Sequence, residues 1–204
     1  MPQRLKDDVQ RRIEEAALRL FARQGYRSTT MAGIARAARV STGNLYRYHG
    51  GKEDLFRAVV RQDRVDTFRS LMRRRVEALA GTDDLGRLPA SARYHVVSQE
   101  LLTFAIANRL LVVVLLGHAA GTRYAGFPDA LVNDLVDGAV RHFRDLRPGL
   151  RLSDTMRFNL DRIYRSFTAH LVEILAGYRG QAAIREAVAE FSRYHLAGLK
   201  ALFS

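Results

Sequence analysis

A chain of 204 residues, 48% hydrophobic and 26% charged, can bury a large core, as one sizeable domain or a small one joined to a larger one. It has no cysteine, which excludes disulfides and thiolate metal sites. The net charge of +12 is uneven: residues 1–75 hold 18 Lys/Arg against 8 Asp/Glu, and residues 76–204 hold 15 against 13. A basic segment beside a nearly neutral one points to a polyanion meeting the N-terminal part. The bland alternative is a solvated arginine-rich surface, since Lys6, Lys52 and Lys200 are the only lysines.

Met1 to Arg4 lead into charged sequence without an apolar run, so no signal peptide is expected. The longest apolar stretch, Leu110 to Leu116, is far shorter than the roughly 20 residues that span a bilayer. A soluble, cytoplasmic protein with no membrane partner is the expectation.

The periodicity is helical nearly throughout, without strand-like alternation or repeats. A first helix is expected from about Asp8, with Ile13, Ala16, Ala17, Leu20 and Phe21 inward and Gly25 as its C-terminal stop. Thr29 or Thr30 can cap a short second helix that turns Met31, Ile34, Ala35 and Ala38 inward. Ser41 can cap a third short helix containing Leu45 and Tyr48, which Gly50-Gly51 ends. A long fourth helix is expected from Lys52 to about residue 80. Gly81 to Pro89, with Asp83-Asp84, reads as a loop. Helices follow at about 90–108 and 109–118, then one with Pro128 in its first turn that Pro148-Gly149 terminates. Two long helices, about 153–176 and 181–203, finish the chain.

Two short helices braced by a preceding one make a helix-turn-helix, whose second helix must enter the major groove. In Thr42-Gly43-Asn44-Leu45-Tyr46-Arg47-Tyr48, Leu45 anchors the helix inward and leaves Thr42, Gly43, Asn44, Tyr46 and Arg47 outward. Gly43 lets the backbone approach DNA closely. Asn44 can pair bidentately with adenine and Arg47 with guanine, while tyrosine hydroxyls suit phosphate. Lys52 adds a charge and a helix N-terminus for a backbone phosphate. The alternative is that these helices merely pack.

This segment resembles the TetR family of bacterial regulators. The resemblance rests on Ile13, Ala16-Ala17, Leu20-Phe21, Gly25-Tyr26, Thr29-Thr30, Ile34-Ala35, Ala38, Val40-Ser41, Leu45-Tyr46, Tyr48, Lys52 and Leu55 at fixed spacing. It implies an all-α fold, with a DNA-binding head over residues 1–54 and a helical effector-binding and dimerisation domain over 55–204. It also implies that Thr30, Thr42, Gly43, Asn44, Tyr46, Arg47, Tyr48 and Lys52 face DNA. Two positions depart from the family pattern. Arg39 stands where the turn usually has glycine, at a cost of about 1 kcal/mol if the backbone there is left-handed. His49 replaces the usual phenylalanine, which weakens the apolar anchor and introduces a group that titrates near neutral pH.

The C-terminal part is less informative. Ala187, Phe191, Tyr194, Gly198 and Ala201 form one face of the last helix, beside a second apolar face of Ile184, Val188, Leu199 and Leu202. With Met156, Ile163, Tyr164 and Phe167 on the preceding helix, this suits a four-helix homodimer interface; the alternative is that both faces are internal core. An effector wall is expected from Phe104, Asn108, Leu111, Val112, Leu115, His118, Tyr124, Phe127, Phe143 and Phe167, chemistry suited to a small apolar or aromatic molecule. Ordinary core is again the alternative. His95, His142, His170 and His195 show no metal-ligand spacing with Asp or Glu, so neither metal nor cofactor is expected. No nucleophile–base pair or phosphate loop supports an enzyme. The expected function is a repressor that binds a palindromic double-stranded operator as a dimer and is released by an effector. The competing readings are an activator or global regulator without an effector, and a C-terminal enzyme or carrier.

Overall fold

The structure, a computed structural model, describes residues 2–79, 92–149, 151 and 153–202. The loop expected at Gly81 to Pro89 lies outside the described residues. Among the described residues the elements are all helical: α1 Pro2–Ser28, α2 Met31–Ala38, α3 Thr42–Tyr48, α4 Lys52–Val59, α5 Gln62–Glu77, α6 Arg93–Ala107, α7 Arg109–Val113, α8 Phe127–Leu146, α9 Asp154–Gly177 and α10 Gln181–Leu202. A π-helical turn, Val114–His118, follows α7 directly. No single described helix is long and apolar enough to cross a membrane.

The chain divides into two compact units, Met1–Asp66 with Leu110–Phe127, and Thr67–Arg109 with Pro128–Ser204. The first is centred on α1. Its stripe of Ile13, Ala16, Ala17 and Phe21 is buried with Ile34, Ala35 and Ala38 of α2, Leu45 of α3, and Leu55 and Phe56 of α4. Phe21, Tyr26 and Phe56 meet ring to ring at 5.1–5.7 Å, and Tyr124 extends this cluster at 6.3 Å from Phe56. Offset and edge-to-face pairs at such distances add to simple area burial. The Tyr124 hydroxyl also donates to Gln62 Oε1 at 2.7 Å.

Two helix expectations need correction. The first helix begins at Pro2, not near Asp8. Proline suits a first helical turn, and Asp8 lies inside the helix, where its carboxylate pairs with Arg11 at 3.2 Å. The single helix expected from Lys52 to about 80 is two helices, α4 and α5, broken at Val60-Arg61. The apolar stripe explains the break. Phe56 to Val60 is a helical step of four, but Val60 to Val65 is five, more than the three or four that keep a stripe on one face. All three residues are buried, so the backbone breaks to bring Val65 back to the core. Arg61 holds the restart: its guanidinium donates to both oxygens of Asp63 at 3.0 Å, which keeps that carboxyl below its ordinary pKa, and its carbonyl accepts from Val65 N–H.

The second unit is a helical body built from most of α5, with α6, α8, α9 and α10. Its core takes Phe68, Met72 and Val76 from α5, Val97 and Leu101 from α6, Leu131, Leu135 and Ala139 from α8, Leu160, Leu171 and Leu175 from α9, and Ile184 and Leu199 from α10. Arg165 of α9 binds both Asp129 and Asp161, which together hold its guanidinium firmly protonated. Gly138 of α8 packs tightly on α5: a Cβ there would lie 2.7 Å from Cγ1 of Val76. Valine is stiff at χ1 in a helix and cannot swing aside. Gly138→Ala is therefore expected to destabilise this unit by roughly 1–2 kcal/mol, overpacking less the gain in helix propensity. Urea unfolding followed by circular dichroism checks this, with Val76→Ala completing a double-mutant cycle whose coupling should be favourable.

Candidate nucleic-acid interface

Three local devices shape the segment from Gly25 to Lys52. Gly25, at φ 80°, kinks α1 one turn before its end, and the buried Thr29 hydroxyl donates to its carbonyl at 2.8 Å. Thr30 then caps α2, its hydroxyl accepting from Gly33 N–H at 3.1 Å. Ser41 caps α3 in the same way, accepting from Asn44 N–H at 3.1 Å. Both caps satisfy donors that a helix start leaves free.

The turn between α2 and α3 is closed by two crossed hydrogen bonds, Arg39 N–H to Arg36 carbonyl at 3.1 Å and Val40 N–H to Ala35 carbonyl at 3.0 Å. This Schellman arrangement requires a left-handed residue, and Arg39 adopts it at φ 56°, ψ 48°. Among the described residues it is the only non-glycine with positive φ. The strain expected from the sequence is present.

Leu45 is fully buried, as its anchoring role requires, and the polar set surrounds it outward. Thr30, Thr42, Gly43, Tyr46 and Arg47 are exposed, while Asn44 and Tyr48 are half-buried. Tyr46 is 51% exposed, unusual for a tyrosine on a helix of seven residues. A Cβ added at Gly43 would meet nothing within 4 Å, so this side of α3 is open to an approaching surface.

Lys52 is placed differently from its expected phosphate role. Its ammonium donates to the carbonyls of Thr29 at 2.9 Å, Tyr26 at 3.0 Å and Arg27 at 3.4 Å, and lies 4.4 Å from the Tyr26 ring centroid. Three donors meet three acceptors, so the side chain ties the end of α1 to the start of α4. The carbonyls left free at the end of α1 were the signal available in the sequence. His49, expected to weaken the anchor, is buried. Its Nε2 lies 3.7 Å from Glu14 of α1 and its Nδ1 3.8 Å from Asp54 of α4.

The residues expected to form an effector wall fall in both units. Leu111, Val112, Leu115, His118, Tyr124 and Phe127 belong to the first, and Phe104, Asn108, Phe143 and Phe167 to the second. Asn108 has a local duty: its side-chain amide and backbone N–H both donate to the Phe104 carbonyl at 2.9 Å, ending α6. Phe104 stacks on Phe68, and Phe143 meets His142 edge-on. A half-open groove of about 210 Å³ in the second unit is lined by Arg73, Glu77, Asp134 and Arg141, and by none of the expected wall residues.

Of the expected interface residues, Tyr164 and Phe167 are buried within their own unit, against His195 and, for Phe167, Phe191. Tyr164 is held by α10 of the same chain, and burial pushes its hydroxyl pKa up. Tyr194 is 77% exposed, Gly198 and Ala201 are exposed, and Met156, Ile163, Ala187 and Phe191 are half-buried.

Residues 13–59 match the family model described as bacterial regulatory proteins, tetR family. Over 76 residues, 37% of the chain, the sequence is 38% identical to the HTH-type transcriptional regulator HbdR of Aromatoleum sp. (strain CIB), and the match spans a third of that protein's length. A TetR-family transcriptional regulator from Bordetella parapertussis 12822 shares the fold at TM-score 0.54 and 23% identity, over 88% of this chain and 92% of that one. The segment 13–59 is thus similar to the DNA-binding segment of the TetR family, and the fold of the whole chain is similar to that of a TetR-family regulator. The chain is also 28% identical to the nucleoid occlusion factor SlmA of Haemophilus influenzae, over 78% of this chain and 67% of that protein. The matched segment 13–59 contains α2 and α3, two short helices in a helix-turn-helix arrangement.

Two substitutions test this account of the TetR-type head. Lys52→Met should destabilise the head by roughly 1–3 kcal/mol, because charged hydrogen bonds are lost and carbonyls left unpaired. Guanidinium unfolding in the absence of DNA checks it, since a pure phosphate contact would leave stability unchanged. Arg39→Gly should raise stability by about 1 kcal/mol by removing left-handed strain. A lowered melting temperature would refute that reading of the turn.

Proposed function

We propose that the protein is a transcriptional repressor that binds a palindromic operator as a homodimer and is released by a small apolar or aromatic effector. Residues 1–54 act as the head and 55–204 as the effector and dimerisation domain. The observation that carries the reading is the open polar face of α3, held by a serine cap and a buried leucine in the most basic part of the chain. Thr42, Gly43, Asn44, Tyr46 and Arg47 meet the groove, with Thr30 and Tyr48 beside the backbone. Lys52 contributes its helix N-terminus while its ammonium braces the head.

A single seven-residue helix reads few base pairs, so specificity calls for two heads about 34 Å apart on successive major grooves. The exposed Tyr194, Gly198 and Ala201 of α10 support pairing through that helix, because small residues admit close approach. Coupling of about 1–3 kcal/mol between effector and operator would change DNA affinity about 5–150-fold.

A second reading is a DNA-binding activator or global regulator that needs no effector; one relative is named a nucleoid occlusion factor and not a ligand-responsive regulator. Selection of bound DNA from random duplexes tests both, and should return paired half-sites about one helical turn apart. On the selected site, Arg47→Ala and Asn44→Ala should each cost about 1–3 kcal/mol and relax one base position. Gel shifts across candidate ligands separate the readings: affinity indifferent to every bound ligand sinks effector release and leaves the second.

A further inference from the structure

Helix α5 carries a row of arginines, and the partners of four of them can be compared. Arg69 pairs with Asp134 at 2.8 Å, Arg73 with Glu77 at 3.4 Å and Arg74 with Glu100 at 3.2 Å. Arg75 differs. Among the described residues it meets no carboxylate: its Nε donates to Ser98 Oγ at 3.2 Å and its Nη2 to the Tyr94 hydroxyl at 2.5 Å. Its central carbon lies 5.1 Å from the Tyr94 ring centroid and 5.8 Å from that of Phe167.

The position is unusual even in the sequence. Phe68, Leu71, Met72 and Val76 form the buried stripe of this helix, and Arg75 falls four and three residues from Leu71 and Met72. An arginine on an apolar stripe is the signal that charge counting alone passes over. Its neighbours register the uncompensated cation. His195, buried beside Phe167, has its pKa pushed down to about 4, first by burial and then by Arg75. The buried Tyr164 feels the same charge.

A half-buried guanidinium whose partners among the described residues are neutral hydroxyls and aromatic faces lacks the anion that would offset its desolvation. It has five N–H donors, of which two are committed. Ser98 and Tyr94, one turn apart on α6, hold it from one side, and the buried Phe167 ring lies beside it. A single planar cation matches a planar monoanion, because guanidinium and carboxylate can share two parallel hydrogen bonds.

We propose that Arg75, framed by Tyr94, Ser98 and Phe167, is the anchor for the carboxylate of the effector, which is an aromatic or alkyl monocarboxylate. This rests on the effector reading above and narrows it to one chemical class. The full-length protein is titrated with 1-naphthoate, 1-naphthalenemethanol and 1-naphthylmethylammonium, followed by calorimetry, with octanoate and octanol as the alkyl pair. The carboxylates should bind at least tenfold more tightly than the matched alcohols and ammonium. Arg75→Met should weaken the carboxylates at least tenfold and leave the alcohols unchanged. Tyr94→Phe with Ser98→Ala, which keeps the charge but frees it, should weaken them three- to tenfold and decides the matter if Arg75→Met does not fold. Equal binding of acid and alcohol, no binding of either acid, or indifference to these substitutions overturns the proposal. Operator affinity is measured separately. Release by neutral ligands alone leaves the effector reading standing without the carboxylate anchor. Carboxylate binding through Arg75 that never moves operator affinity does the reverse.

Discussion

A helix that ends inside a small domain leaves carbonyls needing partners, and α1 ends where α2 must begin. The Lys52 ammonium meets that need by reaching back to Tyr26, Arg27 and Thr29. It thereby fixes the end of α1, beyond the kink at Gly25, and the first residue of α4 by one side chain. With both ends of the helix-turn-helix held to the same point, Thr30 and Ser41 can cap two short helices that would not persist alone. The apolar contacts of Ile34, Ala35 and Leu45 with α1 then complete the head. Each outward side chain of α3 inherits its orientation from that anchor.

Much of this was legible in the amino-acid order. The cap at Ser41, a cap at one of the two adjacent threonines and the anchor at Leu45 follow from residue types at fixed intervals, because local backbone chemistry decides them; the left-handed turn at Arg39 was suggested only by the resemblance, since arginine itself gives no sign of it. The role of Lys52 did not follow. A lysine at a helix start looks alike whether it meets a phosphate or a carbonyl, and the carbonyls concerned lie 23 to 26 residues away. The break between α4 and α5 was present as a five-residue step from Val60 to Val65, hidden by the strong helical pattern on either side.

The helical body was harder to read for a related reason. Aromatic residues at helical spacing serve a core, a cavity or an interface equally well, and only tertiary packing separates these uses. Phe104 and Asn108 illustrate this: one stacks on Phe68, the other closes its own helix. Tyr164 and Phe167 face their own α10. Polar exceptions carry more information than apolar agreement, as Arg75 shows among hydrocarbon neighbours.

His49 carries a consequence for the head as a unit. Its ring nitrogens lie 3.7 Å from Glu14 of α1 and 3.8 Å from Asp54 of α4, beyond hydrogen-bond reach, and its buried Nε2 finds no hydrogen-bond partner among the described residues. Burying a ring nitrogen without a partner costs stability that phenylalanine would not lose. At the point where α1, α3 and α4 converge, this head is therefore packed around a polar ring in place of a hydrocarbon one.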